Sequence, residues 1–214
     1  MATHPTGPGR MIVHPLVVRV THWASAVAVV CLILSGWQIY NASPLFGFSF
    51  PRWMTLGGWL GGAIAVHLAA MWLLVASGLA YGAYGILSRH FARSFFPIRP
   101  SAVWHDMRAA LAFRLEHTLG RYNAVQRLFY VGVLLLLVLA VISGIGLWKP
   151  IQFQGIVSLM GGYEVTRRVH FSAMAGIVGF LVVHLALVAI VPSTLWAMVS
   201  GRARAHAVPA EPGE

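Results

Sequence analysis

The chain has 214 residues, of which 58% are hydrophobic and only 9% charged, with a mean hydropathy of +0.76. Soluble domains carry about 25% charged side chains, so this composition excludes a water-solvated globule and makes lipid the solvent for most of the chain. The net charge of +10 comes from arginines lying between apolar runs, which argues for topology and against a nucleic-acid partner; the single cysteine, Cys31, excludes intrachain disulfides, thiolate zinc sites, iron–sulfur clusters and covalent CxxCH attachment.

Residues 1–13 read as a polar N-terminal tail rich in Pro and Gly. The apolar run that follows is too long for a signal peptide and lacks a small-residue cleavage site, so it is expected to remain as the first membrane helix. Four runs are long enough to cross a hydrocarbon core, which needs about 20 residues. They are Leu16–Tyr40, Leu56–Ala80, Arg127–Trp148 and Val169–Val191, with Pro15 opening the first and Pro150 and Pro192 following the third and fourth. The expected fold is an all-α membrane protein, a four-transmembrane-helix bundle occupying residues 14–195, with a C-terminal tail over 196–214.

Loop charges orient the bundle. Arg10, Arg19, Arg89, Arg93, Arg99, Arg108, Arg114, Arg121, Arg127, Arg202 and Arg204 fall on one side of a four-span topology, and only Arg52, Lys149, Arg167 and Arg168 on the other. The positive-inside rule then places both termini in the cytoplasm of a bacterial inner membrane protein. The long connection from Tyr81 to Tyr122 contains an amphipathic stretch, Ser101–His117, in which Trp104, Met107, Leu111 and Leu115 share one face; an interfacial cytoplasmic helix is expected there. A faint repeat links the first and third spans, because Arg19 precedes Ser35-Gly36 by the same interval that separates Arg127 from Ser143-Gly144. The third span has Tyr130 where the first has His22, so the repeat implies related packing roles only.

Four of ten histidines, His22, His67, His170 and His184, lie within or at the edge of the spans, where polar groups are unfavourable and usually functional. His170 and His184 are fourteen residues apart on the fourth span. At 100° and 1.5 Å per residue they face nearly the same way but stand ~21 Å apart, too far to share a metal. The fourth helix therefore serves two sites. Topology pairs His22 with His184 near the cytoplasmic end and leaves His67 for His170 near the other, although His67 falls nearer mid-depth on these span boundaries. Two bis-histidine pairs stacked across a bilayer suit two b-type haems, whereas zinc wants a third and fourth ligand and no carboxylate lies in any span. Gly36, fourteen residues after His22, clears the first helix beside the second haem; Gly144, Gly176 and Gly179 are further candidates. Each of these glycines would equally permit close helix packing.

With the histidines placed, the chain resembles the bacterial cytochrome b561 and Ni–Fe-hydrogenase cytochrome b superfamily. The resemblance rests on His14-Pro15, Arg19, the THW ending at Trp23, the LSGW of 34–37, His67, and the His170/His184 pair, over residues 12–195. The RYNAVQRLFY of Arg121–Tyr130 and the ISGIGLW of Ile142–Trp148 look especially like the membrane subunit of formate dehydrogenases and thiosulfate-reductase-type cytochromes. That resemblance implies electron transport between a periplasmic molybdoenzyme or hydrogenase-like partner and the quinone pool. It also implies a quinone pocket near the cytoplasmic haem. Asn123, Gln126 and His117 would supply its polar groups there, although Asn123 and Gln126 serve as well to cap the third helix. Arg19, Arg127, Arg167 and Arg168 lie at the levels of haem propionates and equally suit interfacial anchoring. The loops 41–55 and 149–168 are short for a formate-dehydrogenase subunit and leave the partner open. The alternative is a stand-alone quinol oxidase-type cytochrome that reduces a diffusible acceptor such as superoxide; a metal or haem transporter comes third, because sealed bis-histidine sites offer no open coordination position.

Overall fold

The computed structural model of the chain describes residues 10–12, 14–88 and 124–204. The interfacial helix expected over Ser101–His117, and Asn123 with it, lie outside the described residues. Four long helices cross the bilayer: α1 (Leu16–Ala42), α2 (Leu60–Leu87), α3 (Ala124–Trp148) and α5 (Tyr163–Ile190). A short helix α4 (Gln154–Leu159) lies in the α3–α5 connection, and α6 (Pro192–Ser200) follows α5. In hydrocarbon no water is available to the peptide groups, so continuous apolar runs close their backbone hydrogen bonds internally as helices. A three-residue antiparallel pair, β1 (Arg10–Ile12) with β2 (Arg202–Arg204), joins the two ends of the described chain on one face of the bundle.

The starts of the second and fourth spans move, and the reason is glycine. Residues expected to begin the second span instead form a turn in which Gly57 and Gly58 adopt φ of +109° and +71°. Hydropathy does not register this break, because Leu56 and Trp59 flank it. α2 therefore starts at Leu60 and continues seven residues beyond Ala80, to Leu87. At the other end Gly161 and Gly162, at +95° and +102°, release the chain into α5 at Tyr163, six residues earlier than Val169. Glu164 in the first turn faces the positive end of the helix dipole there, and the Thr166 hydroxyl donates to the Gly162 carbonyl at 2.9 Å.

Helix α1 packs along α2 and α3 along α5, while few backbone contacts join the two pairs. Small residues permit the close approach: Ala28, Ala63 and Ala173 are almost fully buried. Ser25 and Ser77 hydrogen-bond to each other across α1 and α2 at 2.8 Å. The core of Ala28, Val29, Ile33, Leu74 and Ile177, with Leu136 and Val178 against it, brings the two pairs together at mid-depth. At the end away from the strand pair an aromatic cluster closes the bundle. Trp37 stacks on Phe50 at 4.6 Å, and Tyr40, Phe46 and Phe48 gather around Phe171. The Asn41 side chain holds the loop by exchanging two 2.8 Å hydrogen bonds with the Phe50 backbone.

Candidate functional site

The four span histidines meet in two pairs, one towards each end of the bundle. His22 of α1 faces His184 of α5 with ring centroids 6.2 Å apart. His67 of α2 faces His170 of α5 at 6.3 Å. The depth mismatch expected for the second pair is absent. With the helices beginning at Leu60 and Tyr163, His67 and His170 each stand seven residues into their helix from the same end. A metal–imidazole nitrogen bond is about 2 Å, and the ring centroid lies about 1 Å beyond the nitrogen, so two imidazoles on opposite sides of one ion have centroids about 6 Å apart. Both observed separations match that distance. Among the described residues no group of three or more His, Cys, Asp or Glu side chains converges, so each donor set is a two-histidine set. That is the donor set of a six-coordinate haem, in which the porphyrin supplies the remaining four nitrogens.

The two pairs are supported differently. Around the strand-pair end, His22 meets the edge of Trp23 at 5.5 Å and His184 stacks on Phe180 at 5.6 Å. At the other end both rings meet a buried serine. His67 Nδ1 lies 3.0 Å from Ser35 Oγ on α1, and His170 Nδ1 lies 3.0 Å from Ser143 Oγ on α3. Each serine donates its own hydroxyl hydrogen to a carbonyl one turn back, Ser35 to Cys31 and Ser143 to Leu139, both at 2.6 Å. With that hydrogen committed, each Oγ offers the ring only lone pairs. Nδ1 therefore carries the hydrogen and donates it, which leaves Nε2 bare for a metal.

The glycine after each serine completes the arrangement. A Cβ on Gly36 would sit 3.4 Å from His67 Cε1, and one on Gly144 would sit 3.1 Å from His170 Cε1. The space beside Gly36 is thus filled by the His67 ring. Gly176 serves helix packing, since a Cβ there would meet Leu136 Cδ1 at 2.9 Å, whereas Gly179 faces open space. The Ser-Gly repeat seen along the chain is therefore a tertiary device: α1 presents it to a histidine on α2, and α3 presents it to a histidine on α5. Ser35 and Ser143 were not among the expected site residues, and the interval from Arg19 and Arg127 was the signal that marked them.

The arginines are placed as follows. The Arg19 guanidinium donates to the Met198 carbonyl at 3.2 Å and to the Val199 carbonyl, at the C-terminal end of α6, where a cation also meets the negative end of the helix dipole. Arg167 forms an ion pair with Glu164 at 3.2 Å and donates to the Ser43 backbone carbonyl, tying the start of α5 to the end of α1. Arg168 is exposed. Arg127 and Gln126 lie in the first turns of α3, and their side chains are outside the described residues. The boundary expected at residue 195 falls inside α6, because Pro192 occupies the first turn of that helix and starts it.

An apolar cavity of about 220 Å³ lies between α1 and α5, lined by Ile33, Leu34, Trp37, Val178 and Leu181 among others. The Trp37 indole nitrogen is buried without a hydrogen-bond partner among the described residues.

The family profile described as prokaryotic cytochrome b561 matches residues 13–201. Over 190 residues the chain is 49% identical to the "Putative protein-methionine-sulfoxide reductase subunit YedZ1" of Azospira oryzae, an alignment covering 88% of this chain and 96% of that one. The chain belongs to the prokaryotic cytochrome b561 family, and is a multi-pass bacterial membrane protein that binds haem b and transfers electrons.

Proposed function

We propose that the chain holds two b-type haems, one between His22 and His184 and one between His67 and His170, and conducts electrons across the inner membrane between the quinone pool and a redox enzyme subunit at the periplasmic face. The observation carrying this reading is the pair of facing imidazoles at 6.2 Å and 6.3 Å, one pair towards each end of the bundle. Haem b, when bound, supplies a one-electron couple at each level. The protein orients the imidazoles across the gap between the helix pairs. The Trp37 indole N–H is a buried donor suited to a carboxylate of the outer haem.

Both termini are assigned to the cytoplasm by the arginine distribution, which makes His22–His184 the inner pair and His67–His170 the outer one. A quinone site near the inner pair would draw on Asn123, Gln126 and His117. The relative's name, a subunit of a protein-methionine-sulfoxide reductase, favours an outward direction of flow, from quinol through the inner pair to the outer pair and on to a reductase. The test is rapid mixing of the oxidised holoprotein with a quinol analogue. Reduction of both haems, followed by reoxidation on adding a periplasmic reductase partner and methionine sulfoxide, supports the reading. Haems that stay oxidised with every quinol analogue, while dithionite reduces them, would overturn it.

A further inference from the structure

The two histidine pairs differ in what touches their rings. Aromatic rings flank His22 and His184. Hydroxyl oxygens at 3.0 Å face both His67 and His170, from serines that are fully buried on two different helices. The notch is thus duplicated on α1 and α3: a hydroxyl facing the ring, followed by a glycine beside it.

We propose that Ser35 and Ser143 are positioning residues that lock the outer pair of ligands in the Nδ1–H tautomer and hold the reduction potential of the outer haem below the value it would have without them. This rests on the two-haem reading above. The physical cause is the acidity of the ring N–H. An imidazole bound to iron(III) has a more acidic N–H than one bound to iron(II), so an acceptor on Nδ1 binds the oxidised state more strongly. A hydroxyl that is itself donating to a carbonyl is polarised into a better acceptor, and the buried setting strengthens the effect. Acceptors on both imidazoles, His67 and His170, would act in the same direction on an iron held between them.

The test is a spectroscopic redox titration of the purified holoprotein carrying Ser35→Ala, Ser143→Ala or both, with haem counted per chain. The step belonging to the outer site is identified from a His170→Ala variant that lacks it. The loss of one or both hydroxyls is expected to change the outer reduction equilibrium by about threefold to tenfold in favour of the reduced form, up to about 59 mV for one electron. The inner step is expected to stay in place. The EPR signal of one of two low-spin ferric sites is expected to change as its ring planes turn, and the other to remain. A double variant retaining only the inner haem would equally support a positioning role. Two haems with both steps unmoved, both steps moved together, or loss of both haems from the single variants would overturn it. A wild-type protein with fewer than two haems would instead defeat the two-haem reading itself, so the two failures are distinguishable.

Discussion

Adding one methyl group to Gly144 tests how closely the outer site is packed. A Cβ there lies 3.1 Å from His170 Cε1 and 3.6 Å from its Nδ1. That ring cannot retreat freely, because Nδ1 is tethered to Ser143 at 3.0 Å. Overpacking of this kind costs about 1–3 kcal/mol, which is about 5- to 150-fold in the association constant for the outer haem. Gly36→Ala places its Cβ at 3.4 Å from His67 Cε1, an ordinary contact, and is expected to be nearly neutral. Gly132→Ala on the same helix as Gly144 meets nothing within 4 Å and serves as the control. Gly144→Val adds two further methyls against the ring and is expected to abolish the outer site. The assay is haemin titration of each apoprotein in detergent, read as low-spin haem per chain, with far-UV circular dichroism to confirm the helices. Expected stoichiometries are two for wild type, Gly132→Ala and Gly36→Ala, weakened second binding for Gly144→Ala, and one for Gly144→Val. A Gly144→Val protein that binds two haems with unaltered spectra would refute the placement of His170 as a ligand.

Gly201 adopts φ of +76°, and a Cβ on it would lie 2.9 Å from Arg19 Nη1 and 3.1 Å from the His14 carbonyl. Gly201→Ala is therefore expected to loosen α6 and lower unfolding stability by about 1–3 kcal/mol, measured as thermal melting in detergent, with little effect on haem content. Arg19→Gln is expected to do the same to a smaller extent, since it removes a charged donor from the α6 carbonyls. The Ser25–Ser77 bond at 2.8 Å joins α1 to α2 in the membrane. A double-mutant cycle with Ser25→Ala and Ser77→Ala is expected to give a coupling of about 0.6 kcal/mol, in line with interhelical hydrogen bonds elsewhere.

The histidine pairing was legible in the sequence because α-helical geometry converts a fourteen-residue interval into two sites on one face, and the antiparallel course of the spans leaves one partner for each. Depth was less legible. Gly57 and Gly58 break the helix without lowering hydropathy, so the second span began four residues early and His67 looked too deep. The Ser-Gly repeat was visible as a pattern, but its meaning lies between helices: Ser35 acts on His67, thirty-two residues away, and Ser143 on His170. Arg19 shows the limit from the other direction. Its level in the membrane suited a haem propionate, whereas the structure sets its guanidinium against α6, a helix that continues through a boundary placed at residue 195. No pattern within α1 encodes a contact with a segment 179 residues away.

The most direct measurement is a pyridine-haemochrome count on the purified protein, together with its reduced-minus-oxidised spectrum. Two b-type haems per chain, both low-spin, are predicted from two imidazole pairs at 6.2 Å and 6.3 Å. A single haem, or a high-spin spectrum indicating an iron with one imidazole, would contradict the assignment of at least one pair.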